Sequence, residues 1–353
     1  MNTVQATRLV AARQVRVTLR DKTFLYSTLF FLLIVAGATI LPAIFAGGTT
    51  SVAVTEAAAA PLRAAGLDVR TVADDAAAER AVRDGDVDAA VVSGPTVLAM
   101  DEAPDDVMTA LSTRPALRLL DPDALDPVLA YLVPLIFAFI FFITSQIFGL
   151  QIAQSVVEEK QTRIVEILVA AVPARALLAG KILAGTVLAF GQIALIALIT
   201  VVGMRFGDSG ELLSLLAPAI GWFLPFFLLG FVLLAAMWGA AGALANRQED
   251  VSAVSTPVQI AIMAPFFAVS FLNDNPTAMT VLSYVPFSSP TAMPLRLFHG
   301  DAAGWEPLVS LALLLVAAAA FVAAGARVYE GSLLRTNGRT SIRAAWRSRE
   351  TAG

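Results

Sequence analysis

Between two apolar runs, each long enough to cross a bilayer, stands one charged amphipathic stretch, Gln154 to Lys181, reading QSVVEEKQTRIVEILVAAVPARALLAGK. Val157, Ile164, Ile167, Leu168 and Ala171 recur at helical spacing. Glu158, Glu159, Lys160, Arg163 and Glu166 take the opposite face, the pattern of a helix lying on a surface. Pro173 breaks that helix, and Arg175 restarts one that runs through Gly180 and Lys181 into the next apolar span. No covalent chemistry is open to such an elbow. A charged, rigid helix at a membrane face can instead dock on a partner and pass on a rigid-body motion. The plainer alternative for Glu158 and Glu159 is a solvated face balanced by Lys160 and Arg163.

The other polar candidates sit inside or beside the spans. Gln146, Gln192 and Gln259 are the span residues best able to meet a substrate, and hydrogen bonding between helices is their competing role. The segment Pro286 to Arg296, PFSSPTAMPLR, must in a bilayer be buried in protein or line a water-filled space, which predicts short re-entrant helices. Pro286, Phe287, Pro290 and Arg296 are its candidates for an outward gate, with packing at the outer rim as the alternative. Asp101, Glu102, Asp105 and Asp106 form an acidic loop without calcium-loop spacing and read as solvated.

Composition closes off much other chemistry. The 353 residues are 58% hydrophobic, and the mean hydropathy of +0.76 places the chain in a membrane before any window is inspected. With no cysteine and one histidine, His299, there is no disulfide, thiolate or Cys/His zinc chemistry and no basis for a histidine triad. The spans carry no Asp, Glu, His or Arg in their middles, and Lys181 stands at the mouth of one. Ion-coupled carriers and intramembrane proteases usually need such groups, so energy for transport would come from a partner. A Walker motif is missing: the Gly180-Lys181 pair has Arg175 where the first glycine of that motif belongs.

The elements that must hold these residues follow from hydropathy. An interfacial basic helix over 1–23, with Arg8, Arg13, Arg16, Arg20 and Lys22, is expected against anionic headgroups. A first span over 24–46 is too long for a signal-peptide core. From 47 to 126 the composition turns soluble, with alternating strand and helix patterns that predict a small α/β domain. Its strands are expected at Ser51 to Thr55, Leu67 to Val72 and Asp88 to Val92, and its helices at Ala57 to Ala65 and Ala76 to Arg83. Further short elements are expected at Thr96 to Met100, Pro104 to Leu111 and Ala116 to Leu120.

Spans then follow at 127–150, 182–204, 212–245, 255–272 and 308–329, with the elbow over 151–181 and the re-entrant segment over 273–307. The fourth span is expected to begin with an interfacial lead-in up to Pro218 and to bend near Pro225. The tail 330–353 spaces Arg335, Arg339, Arg343 and Arg347 four apart, a second basic helix. Lys and Arg number five in the N-terminal arm, four in the elbow, one after Asn246 and six from Arg327 onward. Six spans with both termini and the elbow cytoplasmic, and the α/β domain outside, satisfy that distribution.

Glu158-Glu159-Lys160, Arg163-Ile164-Val165-Glu166-Ile167-Leu168 and Leu177-Leu178-Ala179-Gly180-Lys181 together resemble the signature of type-2 ABC transporter permeases, in the form of the sodium-export permeases called NatB. The resemblance extends to Gly242-Ala243-Leu244 with Glu249-Asp250, to Pro286-Phe287-Ser288-Ser289-Pro290 with Met293-Pro294-Leu295-Arg296, and to Val328 to Leu334 with Gly338-Arg339. It departs where the family usually has a Gly-Lys-Arg near the end and this chain has Asn337-Gly338-Arg339. The resemblance implies an all-α membrane domain in a cell membrane, paired with a second permease subunit, identical or related. A separate ABC ATPase subunit would carry the ATP and Mg, with no nucleic acid partner. Glu158, Glu159, Lys160, Arg163 and Glu166 would contact that subunit, and Gly180-Lys181 would end the coupling segment. Sodium is the cargo it implies; a hydrophobic drug, lipid or peptide, and a membrane-anchored sensor using the soluble domain, are the alternatives.

Overall fold

In a computed structural model of the chain, the structure describes residues 2–45, 51–54, 59–92, 96–100, 107–108, 111, 127–162, 164–206 and 210–332. The acidic loop, Arg163, the short element at Ala116 to Leu120 and the arginines of the tail lie outside the described residues. The chain divides into two compact units, one of Met1–Thr39 with Leu125–Gly353, the other of Ile40–Ala124.

The larger unit is helical. Helix α1 (Thr3–Thr18) starts where the Gln5 side chain accepts a bond from the Asn2 N–H, and α2 (Lys22–Phe45) follows after a short turn. After the second unit come α5 (Pro127–Gln161), α6 (Ile164–Ala171), α7 (Ala174–Phe206), α8 (Gly210–Leu244) and α9 (Val251–Leu272). The last three helices are α10 (Pro276–Tyr284), α11 (Ser289–Phe298) and α12 (Glu306–Ser332). Among the described residues α5, α7, α8, α9 and α12 are long and apolar enough to cross a membrane, and the expected first span falls on α2, apolar over Phe24–Leu33.

The helix of the second span continues past Leu150: α5 runs for 35 residues, about 52 Å at 1.5 Å per residue, because Glu158-Glu159-Lys160 are good helix formers and neither Gly nor Pro stands between Leu150 and Thr162. A hydrocarbon core of about 30 Å therefore leaves its last turns projecting. Before the fourth span, too, the chain is already helical, with Pro218 and Pro225 both inside one continuous α8. Proline is tolerated there because neighbouring helices supply the packing that a lone helix lacks.

Helix α8 is the centre of this unit, touched by α5, α7, α9, α11 and α12. In lipid, apolar area alone gives helices no reason to associate, so close fit must hold them. Rings from α5 and α8 interdigitate to provide it: Phe137 on Phe223 at 4.8 Å, Phe141 on Phe227 at 5.8 Å and Phe148 on Phe231 at 6.4 Å, all edge-on. Below them Gly242 meets the Ala153 backbone, where a Cβ would lie 2.6 Å from the carbonyl oxygen. Only glycine permits that approach.

The second unit contains β1 (Ser51–Val54), α3 (Ala59–Ala64), β2 (Asp68–Thr71), α4 (Asp75–Arg83), β3 (Ala89–Val92) and β4 (Thr96–Ala99). The sheet order is β2-β1-β3-β4, with β1 parallel to β2 and β3, and β4 antiparallel to β3. Alternation along β1 sends Val52 and Val54 to Leu62 of α3, and Ala53 to Ala78 and Val82 of α4. One helix therefore covers each face. The Asp74 side chain caps α4 by accepting from the Ala77 N–H at 2.7 Å.

Candidate functional site

The elbow comprises the projecting end of α5, the short α6 and the start of α7. Thr162 ends the first helix, its hydroxyl turned back to the Glu158 carbonyl at 2.7 Å, and Pro173 separates the second from the third. That break resets the helical phase, so positions 157 to 171 do not share one wheel. Ile164 and Ile167, on the apolar face of the expected surface helix, project outward beside Glu166, with Ile167 73% exposed, while Val165 faces in. Glu158 is exposed on the last turns of α5.

Lys160, expected to contact a partner, and Gly180 and Lys181, expected to end the coupling segment, are turned into the protein. Lys160 is 4% exposed, and its ammonium donates to the carbonyls of Ala243 (2.7 Å) and Ala245 (3.0 Å) and to Asn246 Oδ1 (2.9 Å). It caps the C-terminus of α8, where unpaired carbonyls and the helix dipole both favour a cation. Lys181, 2% exposed, donates to Ser155 Oγ at 2.7 Å and pairs with Glu159 across 3.0 Å. Each cation satisfies a site whose other half lies far away in sequence, so it cannot also serve a docking face. Gly180 is buried as well: a Cβ there would come within 2.6 Å of Val10 Cβ and 3.1 Å of the Thr7 carbonyl.

That contact gives the N-terminal helix a protein side as well as its exposed basic one. The small residues Ala6, Ala11 and Thr18 are the buried ones and α1 lies on α7, whereas Leu9 and Val17 point away with the arginines. Arg175 at the start of α7 pairs with Glu330 of α12 at 2.6 Å, in a more exposed setting. No sequence signal marks Ser155, Asn246 or Glu330, because each partner is 26 or more residues away.

The polar span residues are not gathered. Gln146 on α5, Gln192 on α7 and Gln259 on α9 are each half-buried, and no hydrogen bond joins any two of them. Gln146 Oε1, Ser145 Oγ, Thr186 Oγ1 and Trp238 Nε1 are buried without a hydrogen-bond partner.

The re-entrant segment forms the two short helices α10 and α11. The Asn275 side chain caps α10 at the Ala278 N–H, with Pro276 in its first turn. Pro286 and Phe287 are half-buried, Phe287 lying edge-on to Phe321 at 5.5 Å, and Pro290 packs on Gly230 of α8. Arg296 is buried, donating to Glu306 Oε2 at 2.5 Å, Ser283 Oγ at 2.9 Å and the Asp301 carbonyl at 2.8 Å. Glu306 also accepts from Tyr284 (2.9 Å) and the Ala303 N–H (3.0 Å). Burial, and then the adjacent Glu306 carboxylate, hold the Tyr284 hydroxyl above the ordinary phenol range. Arg296 thus braces α10, α11 and α12 together.

Comparison with known proteins agrees with this architecture. The chain is 28% identical over 211 residues to the uncharacterized protein YhaP of Bacillus subtilis, covering 56% of this chain and 50% of that one. It is 27% identical over 191 residues to the uncharacterized protein MJ1024 of Methanocaldococcus jannaschii, covering 53% and 46%. The chain thus spans about half the length of the curated relatives it matches. No solved structure matches it. The profile of the ABC-2 family transporter proteins matches residues 98–327, which takes in the elbow, the five long apolar helices and the Arg296 brace. With well over half its length so matched, this multi-pass membrane chain belongs to the ABC-2 family of transporter proteins.

Proposed function

We propose that this chain is the permease of an ABC exporter, in which a separate ATP-hydrolysing subunit docks on α6 and drives cargo outward by alternating access. The observation that carries the reading is the exposed helix α6, with Ile164, Ile167 and Glu166 facing away from the protein and Glu158 beside them. A hot-spot apolar side chain ringed by charge is the chemistry of a docking surface. In this reading ATP and Mg reside on the partner, two permease subunits enclose the path, and six spans including α2 put both termini and the elbow in the cytoplasm of a cell-membrane protein. The α/β unit then lies outside, and Pro286, Phe287, Pro290 and Arg296 wall the outward end. Gln146, Gln192 and Gln259 are the candidate path residues.

Sodium is the cargo that the sequence resemblance suggests. Spans without a carboxylate in their middles favour the second reading, a hydrophobic drug, lipid or peptide. The test is capture from detergent of candidate ATPase subunits by the native chain, by Ile167→Asp and by Glu158→Ala/Glu166→Ala, followed by ATPase assay. Capture by the native chain with loss in Ile167→Asp supports the reading. A well-folded native chain that binds no nucleotide-hydrolysing subunit overturns it.

A further inference from the structure

The two buried cations of the elbow perform a task that neither docking nor solubility requires. An ammonium removed from water is expensive to hold unless its geometry is fully satisfied, and a helix end at a membrane face can be capped by water instead. Here the last turn of α8 is capped by Lys160, a side chain 83 residues away from Ala243 and 85 from Ala245. The preceding residue, Glu159, joins α5 to α7 through Lys181, and Ser155 one turn earlier takes the same ammonium. Gln248, just beyond α8, donates to the Gln154 carbonyl at 3.2 Å, closing the same seam again.

We infer that Lys160 and the Glu159–Lys181 pair are positioning residues that weld both stems of the elbow to each other and to α8, so that a push on α6 moves α5, α7 and α8 as one body. Because Glu159 and Lys160 are consecutive on a helix, they leave α5 about 100° apart. The end of α5 is therefore held from two sides, at a level one turn or less from the break at Thr162. Without these ties the projecting end of α5 would bend under load and the motion would stop there. Arg175 to Glu330 adds a tie to α12, but its exposure makes it the weak member. This inference rests on the docking of an ATPase subunit at α6.

The chain has no cysteine, so Gln161→Cys at the projecting end of α5 and Val281→Cys on α10, both exposed and neither placed in the docking patch, can be spin-labelled without background. Distance distributions between the labels are recorded in nanodiscs for the chain alone and for the complex with its captured ATPase subunit, with and without ATP and vanadate. The backgrounds are native, Lys160→Met, Glu159→Gln and the charge exchange Glu159→Lys/Lys181→Glu. The expected result is a distribution that broadens in Lys160→Met and Glu159→Gln even without the partner. In the complex the nucleotide-dependent shift is lost although capture and ATP hydrolysis persist, and it returns in the charge exchange. Native-like distributions and shifts in both single variants overturn the inference. A narrow native distribution that broadens in the variants, with no ATPase captured by any of them, keeps the weld and sinks the docking reading instead. Should Lys160→Met not fold, Asn246→Ala, which removes one of its three acceptors, carries the same expectation alongside Glu159→Gln.

Discussion

Replacing Arg296 by methionine removes the guanidinium at the brace of α10, α11 and α12 while keeping a long apolar stem, so the change tests charge and hydrogen bonding more than volume. The side chains of Arg296 and Glu306 are only 7% and 13% exposed, so solvent screens them little. Removing one partner of a buried pair costs about 3–5 kcal/mol, most of it from the charge left behind. Glu306 retains Tyr284 and the Ala303 N–H, which moves the expectation to the low end, about 3 kcal/mol or roughly two decades in the unfolding constant. Combining Glu306→Gln with Arg296→Met removes the stranded charge and should recover a part, giving a coupling of about 2 kcal/mol in the double-mutant cycle. The assay is SDS-driven unfolding in mixed micelles followed by tryptophan fluorescence, across the native chain, both single variants and the double. A cost of less than about 1 kcal/mol for Arg296→Met, or single effects that simply add, would refute the claim that this is a coupled buried pair.

Gly242→Val should separate α5 from α8, since its Cβ meets the Ala153 carbonyl oxygen at 2.6 Å and backbone cannot yield as a side chain can. A loss of about 1–3 kcal/mol and a polydisperse elution profile in detergent are expected. The chain has three lysines, so amine-reactive labelling of the folded protein should modify exposed Lys22 and spare Lys160 and Lys181, as read by peptide mass spectrometry. In the second unit, the Ser51 backbone N–H and then its hydroxyl lower the pKa of Asp88. A carboxylate depressed in the folded state stabilises above its unfolded value, and the contribution is lost as pH falls through the native value. The protection of β1 amides relative to their intrinsic exchange rates should therefore fall in acid, and Asp88→Asn should flatten that dependence; an unchanged pH profile in Asp88→Asn would remove the role given to this contact.

Much of the scaffold was legible because local rules decide it. Runs of apolar residues marked every long helix of the larger unit. Asn275 and Pro276 marked the start of α10, and Pro173 the break before α7. The strand expected at Ser51 to Thr55 is found at Ser51–Val54, and only the packing shows that both of its faces are covered. What stayed illegible lies at boundaries that a local pattern cannot show. The helical spacing from Val157 to Ala171 gives no sign of the phase change at Thr162, and so none that Val165, rather than Ile164 or Ile167, faces the protein. The arginines of the arm 1–23 mark its basic face, but that Val10 and the Thr7 carbonyl lie against Gly180 of α7 is set by packing alone.

By itself the sequence determined that this chain belongs in a membrane, that it holds no cysteine and one histidine, and that a charged stretch stands between two apolar runs long enough to span. Each of these follows from which residues are present and how they are spaced. Tertiary structure decided which charges of the elbow are free to meet a partner. Glu158, Glu159 and Lys160 are neighbours of similar polarity in the chain, yet one is exposed, one is paired with Lys181 and one caps α8. The physical reason is that a buried charge is fixed by the partner that neutralises it, and those partners come from helices that only the packed bundle brings together.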